Sequence, residues 1–218
     1  MLALRKLIQT MLIKCGNLYS YYKDEKLINI YLQQNDECAY EELVNRYLDR
    51  IFSLVYRIVK DVNVSEDVVQ EIFLTLSEKL HTFKGNSSFS TWIYRVSTNA
   101  ALMKLRTEKK HKYDYTLVDE KEYDENYYAN MTYQATDSKY RPDLINYKKE
   151  SFDLLEKSIN NLSENYRVVI HLKDIEGMSI REISEILDIS IQAVKSRIHR
   201  ARLELKSILE NQLFEWSK

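Results

Sequence analysis

The sequence predicts an all-α protein of two helical domains joined by a long linker. Three observations lead there. With Gly 3 and Pro 1 in 218 residues, the chain has few breakers. That favours long helices and argues against an all-β fold with many tight turns. Apolar residues recur at i, i+3/i+4 spacing in two separate zones. Between them, 113–150 has no clear period and holds nine Asp/Glu against five Lys/Arg, eight of the 17 tyrosines and Pro142. A loop that long is uncommon inside one compact domain, so it reads as a divider. The expected segments are an N-terminal extension over 1–23, a helical domain over 24–112, the acidic Tyr-rich linker, and a second helical domain over 151–218.

The elements follow in order. Residues 39–60 carry Leu43, Tyr47, Ile51, Leu54, Val55 and Ile58 on one helical stripe. Asp61 to Asn63 breaks it. Asn63 and Glu66 have capping-box spacing ahead of a helix from about Ser65 to Leu80, with Val68, Val69, Ile72, Phe73, Leu76 and Leu80 apolar. A loop over 82–88 contains Gly85, and Ser90 is expected to cap a third long helix through about Lys110. After the linker, Leu154, Leu155 and Ile159 open a helix. Ser163 can cap the next, which carries Val168, Val169 and Leu172 and ends near Gly177. Ser179 and Glu182 have capping-box spacing for a short helix ending by Asp188, and Ser190 can cap the last.

Composition excludes several classes. No stretch approaches the ~20 apolar residues of a membrane span. The apolar start, Met1 to Ile13, is interrupted by Arg5, Lys6 and Gln9, so an amphipathic helix is expected there, not a signal peptide. Cys15 and Cys38 are the only cysteines, too few for a disulfide scaffold, and a reducing cytoplasm is the simple reading. The four histidines lie at no metal-ligand spacing, and no glycine-rich phosphate loop is present. No catalytic set, metal site or cofactor is expected.

Three patterns carry chemistry. The most specific spans 178–206, a short helix, a tight turn at Asp188-Ile189-Ser190 and a second helix. That second helix has Ile191, Val194, Ile198, Ala201 and Leu205 on one face and Gln192, Lys195, Ser196, His199, Arg202 and Lys206 opposite, flanked by Arg197 and Arg200. Five Lys/Arg and one Glu fall between Ser190 and Lys206. This is helix-turn-helix patterning, which suits a major groove, with Gln, Arg and Lys able to reach base edges or phosphates. The second pattern is the basic end of the third helix, preceded by Phe83, Phe89, Trp92 and Tyr94. Aromatics interleaved with cations suit single-stranded nucleic acid. The third is an acidic face at Glu66, Asp67, Gln70 and Glu71, either solvated or made for a basic partner.

These patterns occur together in an order that resembles bacterial sigma factors of the sigma-70 family, in the two-domain extracytoplasmic-function (ECF) group. Residues 39–47 resemble the opening helix of region 2. Residues 66–73, Glu-Asp-Val-Val-Gln-Glu-Ile-Phe, resemble the family's most recognisable block, and 89–99 the promoter-facing block after it. Residues 162–167 and 194–202 resemble region 4. The turn carries Asp188 where the family often has Gly, and Ser163 stands where Pro is usual.

The resemblance implies a non-catalytic promoter-specificity subunit of RNA polymerase. Asp67, Gln70 and Glu71 would dock on the β′ clamp helices. Lys84, Asn86, Ser87 and Ser88 would line a pocket for a flipped base of the −10 element, and Asn99, Lys104 and Arg106 would face DNA. Gln192, Lys195, Ser196, Arg197, His199, Arg200 and Arg202 would meet the −35 element. The β flap of polymerase and an anti-sigma factor are implied as further partners. The alternative is a stand-alone helix-turn-helix repressor.

Overall fold

The computed structural model describes residues 18–114 and 154–216, with side chains described to 108 and 211. The expected amphipathic start and the acidic linker from residue 115 onward lie outside the described residues, as do the side chains of Lys109, Lys110 and Lys112. Eight helices and no strand occur among the described residues. They are α1 (Asp24–Gln34), α2 (Glu37–Val59), α3 (Val62–Lys79), α4 (Phe89–Asp114), α5 (154–161), α6 (Glu164–Ile170), α7 (Ile180–Leu187) and α8 (Ile191–Trp216). Two compact units result. The first holds α1 to α4 and takes in Glu182–Asp188; the second holds α5, α6 and α8.

In the first unit α2 is the central strut, packed against α1, α3 and α4. Its predicted stripe is the core: Leu43, Ile51, Leu54 and Val55 are fully buried. Each such aliphatic contributes on the order of 1.5–3 kcal/mol by leaving water. The caps differ from expectation by a few residues. Asp36 caps α2, accepting from the Cys38 amide at 2.8 Å. Asp61, not Asn63, caps α3, accepting from the Val64 amide at 3.1 Å. Lys60 makes the break by taking the left-handed conformation (φ 62) directly before it. Ser88, not Ser90, caps α4, its Oγ accepting from the Thr91 amide at 3.1 Å. At α2 and α3 the residue with extended backbone directly ahead of the helix supplies the cap.

Arg46 ties α1 to α2. Its guanidinium donates to Glu42 (2.8 Å), Asp24 (2.9 Å) and the carbonyls of Tyr19 and Ser20. Tyr47 donates to the other Asp24 oxygen at 2.5 Å. Cys38 is disulfide-bonded, whereas composition led us to expect two reduced thiols.

In the second unit α6 and α8 pack on one another. Val168, Val169, Ile170 and Leu172 meet a core that includes Val194, Ile198 and Ala201. Buried Arg167 donates to the Asn160 carbonyl at the end of α5 (2.9 Å). After α6 the backbone widens into one π turn, His171–Ile175, closed by Glu176 N–H donating to the His171 carbonyl at 2.9 Å. Gly177 follows with φ +70, the left-handed position that the sequence reading assigned to it.

Candidate polymerase and promoter interfaces

On α3, Val68, Val69, Ile72, Phe73 and Leu76 are buried. A 3.6-residue period then turns Asp67, Gln70 and Glu71 outward, and all three are exposed. Leu74 lies on this same outward stripe and is 61% exposed. The acidic face therefore has an apolar residue at its C-terminal end, which the sequence reading missed. The signal was available: Leu74 falls out of phase with the buried series.

The loop between α3 and α4 is held by aromatic packing. Phe83 meets Phe89 edge-on at 5.7 Å and Trp92 at 5.8 Å. Phe89 stacks on Trp92 and is itself met edge-on by Tyr47. Phe89 is buried while Trp92 is half-buried, so Trp92 supports the fold and keeps part of its surface in water. Between these anchors Gly85 takes φ +70 with open space around its Cβ position. Lys84 and Asn86 are exposed and Ser87 is half-buried. Ser88 is exposed, but its Oγ is engaged by the Thr91 amide and by the hydroxyls of Ser90 and Thr91, each hydroxyl at 2.8 Å. It is a cap first.

On α4, Arg95, Asn99, Met103 and Arg106 form one exposed stripe, with Lys104 half-buried at its edge. Met103 is 69% exposed. It too was overlooked, because a lone Met between basic residues has no periodic signal of its own.

The backbone runs from α7 through Asp188 (φ 51) into α8, which Ser190 caps by accepting from the Ala193 amide at 3.1 Å. Asp carries the left-handed residue that Gly usually supplies. Gln192, Lys195, His199 and Arg200 are exposed on α8, and Ser196 and Arg197 are half-buried. Two expectations change. Ile191, placed with the apolar face, is about half exposed beside Gln192. Arg202 is engaged within the unit: its guanidinium grips Asp174 at 2.5 and 3.3 Å. That hydrogen bond and the carboxylate charge raise its pKa, so Arg202 links α8 to the π turn.

Comparison with known proteins follows this geometry closely. Residues 43–111 match the family described as sigma-70 region 2, and 152–205 match sigma-70, region 4. The ECF RNA polymerase sigma factor SigW of Bacillus subtilis is 34% identical over 180 residues, which are 83% of this chain and 94% of that protein.

The chain belongs to the sigma-70 family.

Its relatives place it in the ECF group. The ECF RNA polymerase sigma-E factor of Haemophilus influenzae is 31% identical over 84% of this chain and 91% of its own length. Among solved structures, the sigma factor RpoE in complex with the anti-sigma factor NepR from Bartonella quintana shares the fold, with TM-score 0.59 and 19% identity over 78% of this chain and 96% of that one. CnrH in complex with the cytosolic domain of CnrY gives TM-score 0.56 at 20% identity, covering 86% and 95%. This sigma factor directs transcription initiation, as its two regions and its relatives establish. The family is one of specificity subunits, not of catalytic enzymes. No described helix is long and apolar enough to cross a membrane.

Proposed function

We propose that this sigma factor divides promoter recognition among three surfaces. The outward stripe of α3, Asp67, Gln70, Glu71 and the apolar Leu74, docks on the β′ clamp helices of core polymerase. The carboxylates steer the encounter and the leucine supplies buried area. Lys84, Asn86 and Ser87, on the loop pinned by Phe83, receive an extruded base of the −10 element, and Ser88 shapes that loop through its cap. Trapping a flipped base captures thermally opened DNA, so strand opening needs no nucleotide hydrolysis by this chain. Arg95, Asn99, Met103 and Arg106 continue the path along α4, the methionine offering a stacking surface and the arginines phosphate contacts. Gln192, Lys195, Ser196, Arg197, His199 and Arg200 meet the −35 element, with Arg202 positioning α8.

The domains are assigned as region 2 over 24–112 and region 4 over 151–218. The chain acts in the cytoplasm, where core polymerase is, and an anti-sigma factor covers the same surfaces when transcription is off. The two structural relatives, both recorded as complexes with another protein, support that last point.

The observation that carries this reading is the α3 stripe. A stand-alone repressor has no use for three exposed polar residues and an exposed leucine in the block that matches region 2. Run-off transcription with sigma-free core polymerase and a genomic fragment library tests it. Transcripts that depend on the added chain are expected. Asp67→Lys should abolish them by preventing co-elution with core polymerase. Full activity of Asp67→Lys would refute the docking assignment, and no transcripts with no co-elution of the wild type would return the repressor.

A further inference from the structure

Residues 19–22 form a turn ahead of the region 2 match, which begins at residue 43, and nothing above gives that turn a role. The Tyr22 amide donates to the Tyr19 carbonyl at 3.0 Å, which closes the turn and puts Ser20 and Tyr21 at its tip. Two anchors hold it. The Tyr19 hydroxyl donates at 2.6 Å to Asp36, the cap of α2. The Arg46 guanidinium donates to the carbonyls of Tyr19 and Ser20 at 3.2 and 3.0 Å while it also binds Asp24 and Glu42.

The tip of this anchored turn is an open aromatic ring: Tyr21 is 95% exposed. Tyr22 beside it has Lys26 Nζ 3.7 Å from its ring centroid on α1 and the Tyr19 ring at 5.6 Å. Asp24, Asp36 and Glu42 are engaged by Arg46, Tyr19 and Tyr47. The charges left at the surface are Lys23 and Lys26 against Glu25, all exposed. A lone exposed ring is ordinary on a protein surface. What singles out Tyr21 is the fixed support under it and the surface it adjoins. Tyr47 donates to Asp24 at 2.5 Å and packs its ring edge-on to Phe89 at 5.3 Å. Phe89 in turn meets Phe83, which pins the loop of Lys84, Asn86 and Ser87. Tyr47 thus links the corner that holds the turn to the loop assigned to the −10 base.

We propose that Tyr21 is a second stacking platform for the opened single strand of DNA, beside the base pocket on the 84–88 loop. The proposal rests on the reading of that loop as a strand-binding surface. Single-stranded DNA is the ligand this corner fits. Every base has a π face, so an exposed ring on a fixed turn accepts a base of any sequence, and Lys23 and Lys26 beside it suit the charge of the strand. Duplex DNA keeps its bases stacked inside and offers none to Tyr21. The anchors from Asp36 and Arg46 mean that the turn loses little freedom when a base settles on it. Because Glu25 offsets part of the lysine charge, stacking and not counterion release carries the contact. A base held on Tyr21 is withdrawn from re-pairing, so the platform favours the opened promoter.

The test measures binding of fluorescein-labelled oligothymidylate to the full chain by fluorescence anisotropy. Oligothymidylate carries no −10 sequence, so the outcome is separate from that of the base-pocket assignment, which Asn86→Ala tests in run-off transcription. Tyr21→Ala should weaken binding about tenfold, the loss of one stacked base. Tyr21→Phe keeps the ring and should bind as the wild type does. The salt dependence of binding should have the same slope in wild type and Tyr21→Ala, because no phosphate contact is removed. Affinity for the same oligonucleotide annealed to its complement should not respond to Tyr21→Ala. Thermal unfolding midpoints of both variants should equal that of the wild type, which separates lost stacking from lost folding. No binding of oligothymidylate by the wild type, equal affinities of wild type and Tyr21→Ala, or an equal loss on the duplex would overturn the proposal. The second of these results would leave the turn as a surface for a protein partner.

Discussion

Tyr40 and Tyr47 illustrate how single side chains report on the first unit. Burial comes first in raising both phenols well above their ordinary pKa of 10.0, and Asp24 adds to the effect at Tyr47. A phenol with a raised folded-state pKa holds its proton more tightly in the native state. Its contribution is complete below the unfolded value and is lost as pH rises above it. Stability should therefore be insensitive to these groups near neutrality and fall from about pH 10 upward. Urea midpoints measured from pH 7 to 11 should show that fall, and it should be shallower in Tyr40→Phe and Tyr47→Phe. At neutral pH each Phe variant should cost about 1 kcal/mol, the net worth of one hydrogen bond. Arg167 is the counterpart in the second unit, where burial lowers its pKa to about 10. Arg167→Ala strands the Asn160 carbonyl and leaves a cavity, so it should destabilise by about 2–4 kcal/mol in chemical denaturation. Arg167→Met keeps the volume and should cost less.

At the scale of the element, the helices were legible and their first residues were not. Periodicity over twenty residues averages out local accidents, so α2, α3 and α8 stand where the apolar spacing puts them. A cap depends on one backbone angle. Ser88 and Ser90 carry the same hydroxyl two residues apart, and only Ser88, directly ahead of the helix, turns its oxygen onto a first-turn amide. Ser88→Ala should cost about 1 kcal/mol, and Ser90→Ala clearly less. Thermal unfolding of the two variants side by side makes the comparison, and equal losses would contradict the capping geometry. The same limit applies to surface anchors. Leu74 and Met103 are apolar residues on polar stripes, and reading them as interfaces requires knowing that no neighbouring helix covers them.

At the scale of the whole molecule, promoter recognition is expected to be sequential. In the proposed scheme, docking through α3 precedes both DNA contacts, so Asp67→Lys should remove all promoter protection in a footprint. Arg200→Ala should leave polymerase binding intact and weaken the −35 contact alone, by about 1–3 kcal/mol if the side chain reads a base edge. Loss of −10 opening in Arg200→Ala at saturating holoenzyme would contradict that order. Arg202→Ala belongs to a different class, because it releases α8 from Asp174, and its effect should appear in stability before it appears in sequence preference.

Sequence alone determined the all-α class, the helix-turn-helix pattern, the outward acidic stripe and the family. Each rests on a period or motif spread over many residues, and such signals survive local variation. Tertiary structure decided which member of a chemically equivalent pair does the work, Asp61 over Asn63 and Ser88 over Ser90, and it supplied Asp174 as the partner of Arg202. It also decided that Tyr19 reaches Asp36. These are contacts between residues far apart in sequence, or choices made by one backbone angle. Spacing along the chain carries no information about either until the helices have packed.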